Sequence, residues 1–145
     1  MSRIEETRRA YDKLVALLDQ EIRARRGTTK ELEGFRKALD LAFYLLGWGQ
    51  FEYLVRVEAE GLIGNKAALR TVDRHAWRYM KDNLKGIPVR RRLDLIFHGD
   101  QAKLASLKKE YTVRNDAAHE SKGLPKEAKD VSAWLKELHD LVDKF

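Results

Sequence analysis

Arginine and histidine are the pair of residue types that can hold a phosphate and move a proton, and residues 104–119, LASLKKEYTVRNDAAH, bring one of each to the end of a helical pattern. Leu104, Leu107, Tyr111 and Ala118 fall on one helical stripe, and Arg114 takes the position of that stripe after Tyr111. A guanidinium where an apolar side chain is expected is costly unless it is paired or faces a polar cavity, so Arg114 needs an anionic partner, internal or bound. Asn115 and His119 are four apart and share a face. Arg114 and His119 are five apart, roughly 140° around an ideal helix, and flank one groove only if the helix bends or ends near His119. Ala117 and Ala118 leave room there for a backbone-sized ligand.

One chemistry with which these residues are compatible is metal-free RNA cleavage, with the 2′-OH as internal nucleophile. It needs a group that titrates near neutrality, which histidine supplies. It also needs fixed positive charge against the extra negative charge on phosphorus, for which the arginine fork is suited. His119 is assigned to proton transfer and Arg114 to the phosphate; Asn115 holds the phosphate or orients the histidine.

Arg114-Asn115-Asp116-Ala117-Ala118-His119 resembles the Arg-x4–6-His motif of HEPN domains, in which a polar residue, often Asn, follows the arginine. Residues 43–60, FYLLGWGQFEYLVRVEAE, are similar to the long apolar second helix of some members. The spacing alone is not distinctive here, since Arg70 with His75 and Arg92 with His98 also satisfy it. What singles out 114–119 is the amide after the arginine, the small residues in the gap, the arginine on the apolar stripe and the place in the penultimate helix. The resemblance implies an all-α bundle and a metal-independent endoribonuclease of toxin or antiviral-defence type, with no cofactor and no metal. It implies products with a 2′,3′-cyclic phosphate and a 5′-OH. It also implies a homodimer whose two motifs share one cleft, and a partner of antitoxin or nucleotidyltransferase type. Some members carry, two positions after the histidine, a tyrosine that the nucleotidyltransferase modifies; this chain has Ser121 there.

Glu52 stands in a stretch, 41–55, that is otherwise nearly all apolar. It either pairs with Arg114 and orients it, or faces solvent or Arg56 one turn on. Arg23, Arg25 and Arg26 form one basic cluster and Arg90, Arg91 and Arg92 another. The second cluster, with Lys108 and Lys109, is the candidate RNA-backbone contact, and solvated surface is the alternative. His75, His98 and His139 show no metal-ligand spacing with carboxylates. Trp48, Trp77 and Trp134 read as core or seam residues. A helical module without catalysis, binding RNA or a protein, is the competing functional class, with Arg114 locked to Glu52.

The elements that must position this motif are helical almost throughout. The first helix is expected from Ser2 to Arg26, with Ile4, Tyr11, Leu14, Leu18 and Ile22 inward and Gly27 as its end. Thr28-Thr29 cap a second helix, along which Leu32, Phe35, Leu39, Phe43 and Leu46 share a face, until Gly61, Gly64 and Asn65 break it. A third helix is expected through Leu69, Val72, Ala76, Met80 and Leu84, then a short one over 89–97. Asp100 caps the next, to about Glu120. The last carries Val131, Trp134, Leu138, Leu141 and Phe145. Short turns imply an up-and-down bundle of four main helices plus one or two short ones, as a single domain over 1–145.

The 145 residues carry a formal net charge of +6, which favours an anionic partner such as RNA. The absence of cysteine removes disulfides, thiolate metal sites and a cysteine nucleophile. No apolar run approaches the roughly 20 residues of a spanning helix, and the charged N-terminus does not read as a secretory signal. A cytoplasmic protein with no membrane association is the expectation.

Overall fold

The computed structural model describes residues 2–24, 28–119 and 123–145, and all its regular elements there are helical. Four long helices, α1 (Arg3–Arg23), α2 (Thr29–Ala68), α5 (Gln101–His119) and α6 (Val131–Val142), are joined by two short ones, α3 (Arg74–Asp82) and α4 (Val89–Phe97). Single 3₁₀ turns occupy Leu84–Gly86 and Lys126–Ala128. The all-α expectation holds. No helix among the described residues is long and apolar enough to cross a membrane. The chain divides into two compact units, residues 1–51 with 113–145, and residues 52–112, so that α2 and α5 contribute to both.

In the first unit α1 packs on α6. Ser2 starts α1, its Oγ accepting the Glu5 N–H at 3.2 Å, and the same hydroxyl meets His139 Nδ1 of α6 at 2.8 Å. Asp130 caps α6 by accepting the Ala133 N–H at 3.0 Å. The core is aromatic. Trp134 of α6 lies 4.6 Å from the Tyr44 ring and 6.3 Å, stacked, from Trp48; both belong to α2. Gly47 allows this approach: a Cβ there would come within 2.2 Å of the Leu135 side chain and 3.1 Å of Trp134. Polar links run beside the apolar ones. Thr7, buried, donates to Gln50 Oε1 at 2.9 Å, and the Tyr11 hydroxyl donates to Asp40 Oδ1 at 2.7 Å, beside the Arg36–Asp40 ion pair.

In the second unit Val55, Ala59, Ile63 and Ala67 of α2 are buried, with Leu93 of α4 and Leu104 and Leu107 of α5. Arg92 reaches the Leu84 carbonyl at 3.1 Å and Glu60 at 3.8 Å, tying α4 to the preceding turn and to α2. Asp100 caps α5 by accepting the Lys103 N–H at 2.9 Å.

Several boundaries differ from the sequence expectation. Gly61, Gly64 and Asn65 do not end α2, which continues to Ala68. A helical glycine costs about 1 kcal/mol relative to alanine, and burial of Ile63 and Ala67 on the inward face offsets it; the glycines themselves border open space. Leu69 and Val72 are consequently not part of a third helix but exposed linker residues, and α3 begins only at Arg74. The apolar face expected for α1 is buried at Ile4 and Tyr11 but not at Leu14, which is 43% exposed. Phe35 and Leu46 of α2 are likewise exposed. On α5 the buried alanine is Ala117, while Ala118 faces solvent. The expected ends at Arg26 and Glu120, Gly27, and the position of Ser121 lie outside the described residues.

The contrast at neighbouring glycines is testable. Gly47→Ala should lower stability by about 1–2 kcal/mol, because Leu135 is fully buried and has no room to yield. Gly49→Ala, where an added Cβ meets nothing, should raise it by about 0.5–1 kcal/mol. Urea unfolding followed by circular dichroism reads both. Burial, and then the hydrogen bond to Asp40, hold the Tyr11 hydroxyl well above its ordinary value. The folded chain therefore keeps that proton where the unfolded chain loses it. This contribution is complete below about pH 10 and disappears as pH rises further. Tyr11→Phe should cost about 1 kcal/mol at neutral pH and flatten the alkaline fall of stability measured against the wild type.

Candidate functional site

Arg114, Asn115 and His119 all lie on the last turns of α5, within the first unit. Burial of Ala117 fixes the rotation of that segment. With about 100° per residue, Arg114 stands about 60° from the inward direction, while Asn115 and His119 stand about 160° from it and about 40° from each other. Arg114 is half-buried and His119, the last helical residue, is exposed, as this phase implies, whereas Asn115 is half-buried although its phase is outward.

Phase alone leaves the guanidinium apart from the imidazole. A hydrogen bond between adjacent side chains narrows the gap: Arg114 Nη1 donates to Asn115 Oδ1 at 2.7 Å. The guanidinium is thereby turned toward the face that Asn115 and His119 share. Because a guanidinium only donates, the carbonyl end of the Asn115 amide must face it, and the NH2 end remains the donating end for an anion. The motif thus combines N–H donors from two residues with an exposed imidazole one turn away. Such a set can hold a phosphate group and exchange a proton with a neighbouring hydroxyl.

Glu52 is half-buried on α2 and belongs to the second unit, directly after the buried Phe51. Arg56, its neighbour one turn on, lies over the Tyr53 ring at 5.1 Å from the centroid. The five candidate RNA contacts also lie in the second unit, and they are not equivalent. Arg90 donates to Thr112 Oγ1 at 2.7 Å and lies 5.9 Å over the Tyr111 ring. Arg91, whose side chain is 76% exposed, pairs with Asp94 at 3.3 Å. The Arg92 side chain is 14% exposed and engaged with Leu84 and Glu60. Lys108 pairs with Asp94 at 2.5 Å, and Lys109 is exposed. Arg90, Arg91 and Lys109 are the exposed residues of this group, and Arg92 and Lys108 are half-buried.

Trp48 and Trp134 are core residues as the sequence suggests, whereas Trp77 is half-buried and donates from Nε1 to Asp73 at 2.8 Å. The bond between Arg114 and Asn115 is the feature that sequence reasoning missed. Adjacent helical residues point about 100° apart, and only the rotamers bring them together. Among the described residues no three His, Asp or Glu side chains are arranged to hold a metal ion. No protein-family model matches the chain, and comparison with curated proteins and with solved structures finds no match.

Proposed function

We propose that the chain is a metal-independent endoribonuclease of toxin or defence type that acts as a homodimer. The observation that carries this reading is the Arg114–Asn115 hydrogen bond beside the exposed His119. It gathers a phosphate-binding fork, an amide donor and a proton-transfer group at the end of one helix. The resemblance of residues 114–119 to the HEPN motif supplies the reaction class, the independence from metal and the dimer; the net charge of +6 fits a polyanionic substrate.

In this mechanism the imidazole of His119 takes the proton of a ribose 2′-OH. The 2′-oxygen attacks the adjacent phosphorus and the P–O5′ bond breaks. The imidazolium so formed delivers that proton to the leaving 5′-oxygen, and the arginine of the other protomer completes the cleft. The products are a 2′,3′-cyclic phosphate and a 5′-OH. Arg114 and Asn115 hold the non-bridging oxygens, where charge accumulates as the pentacoordinate phosphorus forms. Arg90, Arg91 and Lys109 are contacts to the RNA backbone in this proposal, with Lys108 and Arg92 as supports of that surface. An antitoxin or nucleotidyltransferase is the class of protein partner.

One observation favours a second reading. Arg114 is half-buried and already hydrogen-bonded inside the chain, which suits a silent module that binds RNA or protein. Single-stranded RNA incubated in EDTA separates the two. His119→Ala should slow cleavage by about 100-fold or more, and Arg114→Ala by a similar factor, with unchanged helical content. Equal cleavage by wild type and His119→Ala would end the catalytic reading; no cleavage by either, with RNA still bound, would favour the silent module.

The dimer makes a separate demand. In an equimolar mixture of His119→Ala and Arg114→Ala, each mixed dimer holds one intact arginine and one intact histidine in its cleft. The mixture should cleave at least about tenfold faster than either variant alone, given the 100-fold or larger single losses. A rate equal to the average of the two would show that each protomer works by itself.

A further inference from the structure

The second unit contains a pocket of about 740 Å³, of whose lining the nuclease reading uses only Arg91. Its volume falls in the range of small-molecule sites, roughly 300–1,000 Å³. The end of α2, α3, the turn before α4, and α4 itself form its walls. Leu62, Met80, Ile87 and Leu95 supply an aliphatic lining, and the Trp77 ring closes one side. Four charged or ionisable side chains also line it: Lys66, Arg91, Asp94 and His98.

The charges at this rim are unequal. Asp94 is the only carboxylate among the lining residues, and it is already committed. It accepts from Lys108, which is not part of the lining, at 2.5 Å and from Arg91 at 3.3 Å. The Lys108 hydrogen bond first, and Arg91 after it, hold its carboxyl below the usual range, so it remains ionised, with one cationic partner outside the lining and one within it. Lys66 and Arg91 are both exposed; Arg91 shares Asp94 with Lys108 and Lys66 acts on Asp73, so three cations face two carboxylates and positive charge is in excess. The first turn of α4 adds to this potential, since Pro88 provides no side-chain cap for its leading N–H groups. His98 directs Nδ1 to the Leu95 carbonyl at 3.2 Å, an arrangement in which the ring nitrogen must donate. This excess disfavours a cationic ligand, and a neutral hydrocarbon leaves it uncompensated.

We propose that this pocket binds a medium-chain aliphatic carboxylate. Its tail lies along Leu62, Met80, Ile87 and Leu95, and its headgroup lies between Lys66 and Arg91. The flexible, polarisable Met80 suits an unbranched chain of variable length. The proposal does not depend on the nuclease reading, because none of its residues belongs to the 114–119 motif.

The test uses the full chain with three probes that share a ten-carbon chain, kept below their micelle or solubility limits: decanoate, decanol and decyltrimethylammonium. Trp77 fluorescence reports binding, since Trp48 and Trp134 are buried elsewhere, and Trp77→Phe should abolish the signal while calorimetry still records heat. Decanoate should bind about tenfold or more tightly than decanol, and the ammonium probe more weakly than either. The exposed double change Lys66→Gln with Arg91→Gln should remove the preference for decanoate and leave decanol unaffected. Met80→Trp, checked for unchanged helical content, should block both probes. His119→Ala should bind decanoate as the wild type does, which separates this proposal from the nuclease reading. Absence of decanoate binding, equal affinity for decanoate and decanol, or a preference that survives the double change would overturn it.

Discussion

The first unit depends on how closely α6 can approach α2, and that distance is set at Gly47. Without a side chain there, Leu135 settles onto the backbone of α2 and Trp134 reaches both Tyr44 and Trp48. Three large rings share one core, each burying more apolar surface than an aliphatic residue would. Placement of α6 then decides where α1 lies, because α1 packs on it and Ser2 meets His139 at its end. A helical glycine weakens α2 locally, and the packing it permits more than offsets that cost.

The same unit holds the end of α5, and here one small buried residue determines what a larger exposed one can do. Ala117 turned inward places His119 outward by helical phase alone. Arg114 falls between the two directions, and a half-buried guanidinium must be satisfied from within or by a ligand. Asn115 meets part of that demand and at the same time draws the charge to the outer face. The arrangement accounts for the residue types found in sequence: a short amide with a carbonyl to accept from arginine, and alanines that place no bulk between the cation and the imidazole.

Much of this was legible in the residues, for identifiable reasons. Val89 to Phe97 stands between Pro88 and Gly99, and both ends of α4 are as expected. Asp100 and Thr28 read as caps and accept the N–H groups of Lys103 and Glu31. Val131, Trp134 and Leu138 recur at 3 and 4 residues and are all buried in α6. Other features were hidden. Periodicity cannot say which apolar residue finds a neighbour, so Leu69 and Val72 continue a pattern with nothing to pack against. Glycine signals overstate a break when burial on the other face of the helix holds it together, as at Gly61 and Gly64. At Ala117 and Ala118 two identical side chains differ only in phase, and tertiary packing alone chooses between them.

The basic surface shows why a count of charges does not locate a binding face. Arg90, Arg91 and Arg92 are consecutive in sequence, and a helix sends them in three directions about 100° apart. Arg90 lies over Tyr111, Arg91 stands in solvent at the mouth of a pocket, and Arg92 is withdrawn to a backbone carbonyl and Glu60. Lys108 and Arg91 share Asp94, and Lys66 acts on Asp73, so three cations meet two carboxylates around the pocket. The balance of these pairings therefore governs the character of this part of the second unit. It leaves positive charge in excess for an anionic ligand.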